Sequence, residues 1–151
     1  MNKYNLLSAQ LEALSESSRN YIPLLSNASA LIYENMEGLN WAGFYLVKDG
    51  ELLLGPFQGK VACVRIAKGK GVCGTAYETD QTQRVEDVHQ FPGHIACDSA
   101  SNSEIVIPIH SNGEVVAVLD IDSPSLNRFS LEDQEGLEEF VKKLEGLLEW
   151  E

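Results

Sequence analysis

Residues 104–122, EIVIPIHSNGEVVAVLDID, constrain the fold more than any other stretch. Two alternating apolar runs flanking Ser-Asn-Gly read as an antiparallel hairpin, and two turns fit it. A two-residue Asn112-Gly113 turn of type I′ pairs 105 with 120 and 104 with 121. A three-residue loop, with Gly113 as a G1 bulge, pairs 104 with 120. A slip of one residue exchanges the two faces of a strand, so side-chain chemistry can choose between them. In the three-residue register Ile105, Ile107, Ile109, Val115, Ala117, Leu119 and Ile121 share a wholly apolar face. The opposite face carries Glu104, Val106, Pro108, His110, Val116, Val118, Asp120 and Asp122. The two-residue register puts Asp120 and Asp122 among the isoleucines. The three-residue loop is therefore expected, with Glu104 opposite Asp120 at roughly 5 Å between Cβ atoms. Asp120 and Asp122 then lie about 7 Å apart along their strand. Three carboxylates at one end of one face raise at least one pKa and invite a cation or a shared proton.

The remaining pattern is short of repeats and linkers, so a single domain spanning 1–151 is expected. Leucines at 6, 7, 11 and 14 mark one helix, and Leu24, Leu25, Ala28, Leu31 and Ile32 a second. Together they form an N-terminal helical region, 1–37. WAGFYLV (41–47) and ELLLGPF (51–57) flank a Lys-Asp-Gly turn signal and read as another hairpin. KVACVRIA (60–67) reads as a third strand, GVCGTAYETD (71–80) as a short helix, and QTQRVEDVHQFPG as turns. The sheet and its loops should span 41–122. A last helix over 130–150 opens on Ser130 and Asp133, at the spacing of a capping box. Its apolar face is Leu137, Phe140, Val141, Leu144, Leu147 and Leu148. The order implies an α+β fold, a central antiparallel sheet with the N- and C-terminal helices packed on one face.

The chain has 44% hydrophobic residues and a net charge of −12. That acidity argues against nucleic acid and anionic membranes, which reward clustered Lys and Arg. No apolar run approaches the roughly 18 residues of a membrane span. The N-terminus lacks the pattern of a secretory signal, so a cytoplasmic location is expected. The cysteines are Cys63, Cys73 and Cys97. With no C-x-x-C pair a zinc finger is not expected, nor is a structural disulfide in a reducing compartment. Three buried thiols, or a redox set, remain. Cys97 sits in a small, polar loop, GHIACDSASNSE, seven residues before Glu104 and beside Asp98, neither of which favours a thiolate. His94 is three residues away, and its role is open. GKGVCG (69–74) spells G-x-G-x-x-G without the βαβ frame of a dinucleotide site. The acids and His110 could ligate a divalent cation, but no oxygen-rich loop joins them, and no metal is expected.

SEIVIPIHSNGEVVAVLDIDSPSLNRFSLED resembles the C-terminal half of a GAF domain. With NWAGFYLV, GKGVCGTA and HQFPGHIACD added, residues 40–135 resemble the free methionine-(R)-sulfoxide reductases, enzymes of GAF fold. The resemblance implies reduction of the R sulfoxide of free methionine, in methionine salvage and defence against oxidative stress. Carried over by position, Cys97 matches the nucleophile, Cys63 the usual resolving thiol and Cys73 an additional redox thiol. Glu104, Asp120 and Asp122 match the active-site carboxylates, with Glu104 and Asp120 among the catalytic groups. Trp41 matches an aromatic bordering the substrate methyl. No bound cofactor is implied; the electrons come from thioredoxin, and the assembly is a homodimer. The alternative class is a non-catalytic sensor that binds an amino-acid-like ligand, or a redox-sensing binding protein using the same cysteines.

Overall fold

The computed structural model describes residues 2–94 and 100–151. Six antiparallel strands form one sheet: β1 (Trp41–Lys48), β2 (Glu51–Gly59), β3 (Arg65–Ala67), β4 (Gln83–Val85), β5 (Ser103–Ser111) and β6 (Glu114–Ser123). Their order across the sheet is β3-β2-β1-β6-β5-β4. The helices are α1 (Lys3–Leu14), α2 (Tyr21–Asn35), α3 (Gly71–Thr79) and α4 (Leu131–Leu147), with a 3₁₀ turn at Val88–Gln90.

Alternation along the strands feeds two separate cores. On one face Phe44, Ile105, Ile107, Ile109, Leu119 and Ile121 pack against Leu7 and Leu11 of α1, Leu24, Leu25 and Ile32 of α2, and Phe140 and Leu144 of α4. α4 starts as its sequence requires: the Ser130 side chain accepts from Asp133 N, and the Asp133 side chain accepts from Ser130 N. Gly136 lets α4 approach α1, because a Cβ there would lie 2.1 Å from the Tyr4 ring. On the other face a smaller core joins Trp41, Tyr45, Leu52, Ile66, Val106 and Val118 to Val72, Cys73 and Ala76 of α3. The terminal helices thus share one face as expected, while α3 and loop residues Ala62, Cys63 and Phe91 pack on the other.

The 104–122 hairpin reaches the expected faces by a different route. Ser111 pairs with Glu114, so the turn has two residues, and Asn112 and Gly113 both have positive φ, at 54° and 79°. Those angles are the demand of a type I′ turn. His110 pairs with Val115, but Ile109 pairs with Ala117, leaving Val116 as a β-bulge. The extra residue restores the parity that the two-residue turn would have broken. Glu104 therefore faces Asp122, and Asp120 faces Val106. The expected Glu104–Asp120 pairing is corrected by two residues along the strand, which makes them diagonal neighbours on the same face. Val116, not Val115, packs against the helical core.

Two other expectations are corrected. Only Arg65–Ala67 of the 60–67 stretch is strand; Lys60–Val64 is a loop. Residues 83–85, read as turn, form an edge strand on β5, with Val85 opposite Glu104. The first hairpin is as expected, closed by Asp49 and Gly50, with Lys48 opposite Glu51.

Candidate active site

Strand pairing brings the expected acids together under α3. Trp41 lies opposite Asp122, and Gly43 opposite Asp120. Gly43 has no room for a Cβ, which would lie 2.3 Å from that of Phe57. Phe57 stacks on Trp41 with ring centroids 5.1 Å apart, and Tyr45 stacks on Trp41 at 5.9 Å. The Trp41 indole donates to Lys60 O at 3.1 Å, and the Tyr45 hydroxyl donates to Cys63 O at 2.8 Å. An aromatic wall therefore stands beside the acids with its polar tips satisfied.

Glu104, Asp120 and Asp122 are all buried, Asp120 retaining only 5% of its exposure. They line a cavity of about 50 Å³ with Trp41, Tyr45, Lys70, Cys73 and His94. The Cys73 thiol donates to Glu104 Oε2 at 3.9 Å. One ligand-type atom from each of Cys73, Glu104 and Asp120 lies within 4.8 Å of the other two, a set compact enough for a small cation. Burial, and then the charges of Asp120 and Asp122, push the Glu104 carboxyl well above the carboxylate range. Burial also raises Asp120, against hydrogen bonds from Glu104 and Cys73 that lower it. Burial and the three acids push the Cys73 thiol far up, so it stays protonated. Asp120 Oδ1 is buried with no hydrogen-bond partner among the described residues. An orphan buried acceptor is costly unless a ligand donates to it.

The start of α3 lines the same cavity. α3 begins at Gly71 with Lys70 as its N-cap, and no side chain caps it. The first N–H groups of a helix lack intrahelical acceptors, and here Gly71, Val72 and Cys73 line the cavity beside Lys70. Gly74 lets α3 sit close to the sheet, since a Cβ would lie 2.6 Å from Ala67 O. An uncapped N-terminus with a lysine favours an anion, a carboxylate included. The cavity thus holds both acceptors for a cation and donors for an anion. Burial, helped by His89, lowers the His94 pKa, leaving a neutral imidazole that can accept a proton.

Of the residues expected from sequence, Trp41, Cys73, Glu104, Asp120 and Asp122 line this one cavity. Cys63 is half-buried on the loop over Tyr45, and it is disulfide-bonded. Cys73 is a free thiol. Cys97 lies outside the described residues. Sequence reasoning missed Lys70 and the uncapped start of α3; the signal was present in GKGVCG, whose lysine precedes the helix with no Ser, Thr, Asp or Asn to cap it. Tyr45 was missed because a strand tyrosine has no mark that separates core from cavity.

A GAF domain model matches residues 24–148. The chain is similar to the free methionine-R-sulfoxide reductase of Escherichia coli (strain K12), with 53% identity over 98% of this chain and 92% of that protein. Its similarity to the enzyme of the same name from Saccharomyces cerevisiae is 49%, over 94% of this chain and 85% of that one. The structure resembles that of fRMsr of Staphylococcus aureus in complex with substrate, with a TM-score of 0.92 and 51% identity, covering 99% of this chain and 97% of that one.

Proposed function

The chain belongs to the free methionine-(R)-sulfoxide reductases of the GAF-domain family, and from that premise we propose that it reduces free L-methionine-(R)-S-oxide to L-methionine. The observation that carries this reading is one cavity lined both by buried acids and by the uncapped start of α3 with Lys70. A free amino acid is a zwitterion, and a peptide-bound methionine has neither an α-ammonium nor an α-carboxylate. The orphan Asp120 Oδ1, with Asp122 beside it, accepts from the ammonium. The start of α3 and Lys70 hold the carboxylate. A peptide would leave these buried groups unpaired, and unpaired polar groups discriminate far more strongly than lost apolar contact. Trp41 supplies an apolar surface for the S-methyl group.

In the proposed cycle the Cys97 thiolate attacks the sulfoxide sulfur, with His94 as the acceptor of the thiol proton. Glu104, held protonated by its neighbours, gives its proton to the oxygen as the S–O bond breaks. The protonated oxygen passes from the methionine sulfur to Cys97 as the bond between the two sulfurs breaks, which leaves a sulfenic acid on Cys97 and releases methionine. The Cys63 thiol condenses with the sulfenic acid, expelling water and forming a disulfide. Two electrons from thioredoxin restore both thiols, with no resident cofactor. The disulfide at Cys63 and the free, strongly protonated thiol at Cys73 favour Cys63 as the resolving residue. Cys73 then acts as a proton-holding neighbour of Glu104 and a reserve thiol. The reducing cytoplasm and the family's homodimer complete the setting we propose, with a role in methionine salvage and oxidative-stress defence.

The test is NADPH consumption with thioredoxin and its reductase, on free methionine sulfoxide resolved by epimer. Only the R epimer should be consumed, and N-acetylmethionine sulfoxide should be inert. Cys97→Ser should abolish turnover; Cys63→Ser should release one methionine per enzyme and then stall. Normal activity in Cys97→Ser would reject the nucleophile.

A further inference from the structure

The β2–β3 loop contrasts with the rest of the surface. Val61, at 88% exposure, is the most exposed large apolar side chain among the described residues, and Val64 retains 60%. They flank Cys63, which is half-buried and disulfide-bonded. The loop is fixed in place by its carbonyls. Lys60 O accepts from the Trp41 indole at 3.1 Å, Cys63 O from the Tyr45 hydroxyl at 2.8 Å, and Val64 O from Leu54 N at 2.9 Å. Three inward backbone anchors leave the valine side chains standing outward. Charge is also distinctive here. Segment 60–70 holds Lys60, Arg65, Lys68 and Lys70, four of the chain's 11 basic residues, and no Asp or Glu, in a protein of net charge −12. Arg65 is paired with Glu51, and Lys68 lies over the Tyr77 ring.

We propose that Val61 and Val64, rimmed by Lys60 and Lys68, form the docking surface for a protein dithiol reductant, and that Cys63 is the sulfur it attacks. The inference rests on the reductase reading above. A small thiol gains nothing from two exposed valines, whereas a protein that must bring its thiolate onto Cys63 can bury both. The lysines select a reductant with an acidic rim around its thiolate and speed the encounter. A second copy of this chain is a poor occupant, because a two-fold contact would set the same lysines against each other. In the step itself, the reductant thiolate attacks Cys63 Sγ and displaces Cys97 as a thiolate, which takes up a proton. The reductant's second thiolate then attacks its own sulfur in the mixed disulfide and releases Cys63. The reductant leaves as a disulfide, two electrons poorer.

The experiment uses the full chain in two variants, V61S/V64S and K60E/K68E, with thioredoxin or with dithiothreitol as reductant. Each variant should lose about tenfold or more in kcat/KM for thioredoxin, while turnover with dithiothreitol stays within about twofold of wild type. The loss in K60E/K68E should shrink as salt is raised. Unchanged thioredoxin kinetics, an equal loss with both reductants, or a change of oligomeric state in V61S/V64S would each overturn the proposal. A thioredoxin lacking its second cysteine should be trapped on the Cys63 peptide by mass spectrometry; trapping on Cys97 would overturn the assignment. If wild type with dithiothreitol fails to reduce free methionine sulfoxide, the reductase reading itself fails, a separate outcome.

Discussion

Glu104 concentrates the chemistry of the site in one proton. Its folded pKa lies well above 4.5, because it is buried and then because Asp120 and Asp122 are near. The folded chain therefore holds a proton that the unfolded chain releases. The stability this contributes is complete below the unfolded pKa and is lost as pH rises through the folded value. Asp120 is raised and has the same sign. Asp133 has the opposite sign. Burial would raise it, but hydrogen bonds from Tyr4 and Ser130 and the charge of Arg128 outweigh that and lower it. Its contribution is lost on acidification below the unfolded pKa. In the absence of ligand the melting temperature should fall between about pH 5 and about pH 8, and Glu104→Gln should flatten that slope. Scanning fluorimetry across pH checks both. Free methionine sulfoxide should stabilise wild type more at the alkaline end, where its ammonium meets ionised acids. The acids themselves were legible in the sequence, because three carboxylates in an apolar alternation have no structural reason to be there. Their partners were not: which acid faces which depends on a bulge that Val115-Val116 does not announce.

Secondary elements carry the site by being fastened at their ends. Asp80, the residue in left-handed conformation that closes α3, is bonded to His110 Nε2 at 2.5 Å. Glu145 of α4 holds His110 Nδ1 at 2.8 Å. One imidazole on β5 thereby ties α3 to α4 around the sheet edge. Burial would lower the His110 pKa, but the two carboxylates outweigh it and raise the pKa above 6.5. This fastening is complete below the unfolded pKa and is lost as pH rises through the folded value. Amide exchange in 74–80 should accelerate on raising pH from about 6 to about 8, once corrected for intrinsic rates, and His110→Gln should remove that pH dependence. Among the elements, α4 was fully legible, cap included, because Ser130 and Asp133 sit before a strong apolar stripe. β4 was not, since three residues reading Gln-Arg-Val become a strand only by the partner that β5 offers them. The same holds for 60–64, where alternation favoured strand and the anchored carbonyls made a loop.

At the scale of the whole molecule, the two faces of the sheet divide the labour. The helical face buries the larger core and should set the global stability. Phe140→Ala, at a fully buried site, should cost about 3–5 kcal/mol in urea unfolding while leaving KM of the folded fraction unchanged. Val72→Ala, in the first turn of α3, should cost about 1–2 kcal/mol and raise KM several-fold, because it loosens the wall that holds the substrate. The fold class and the shared face of the terminal helices could be read from the order of elements. The isolation of α3 on the other face could not, because nine residues rich in Gly, Ala and Thr carry too weak a stripe to choose a side.

Val116 adds a consequence for how this chain can change length. As the unpaired residue of its strand, it is slack in the ladder between Ile109 and His110 on one arm and Val115 and Ala117 on the other. A chain shortened by this one residue can close a regular ladder with every other pair intact, and Asp120 and Asp122 stay in the cavity. A single deletion between Ala117 and Leu119 that kept the bulge would instead rotate the downstream acids into the apolar core. The hairpin thus has one built-in place where an indel leaves the chemistry standing.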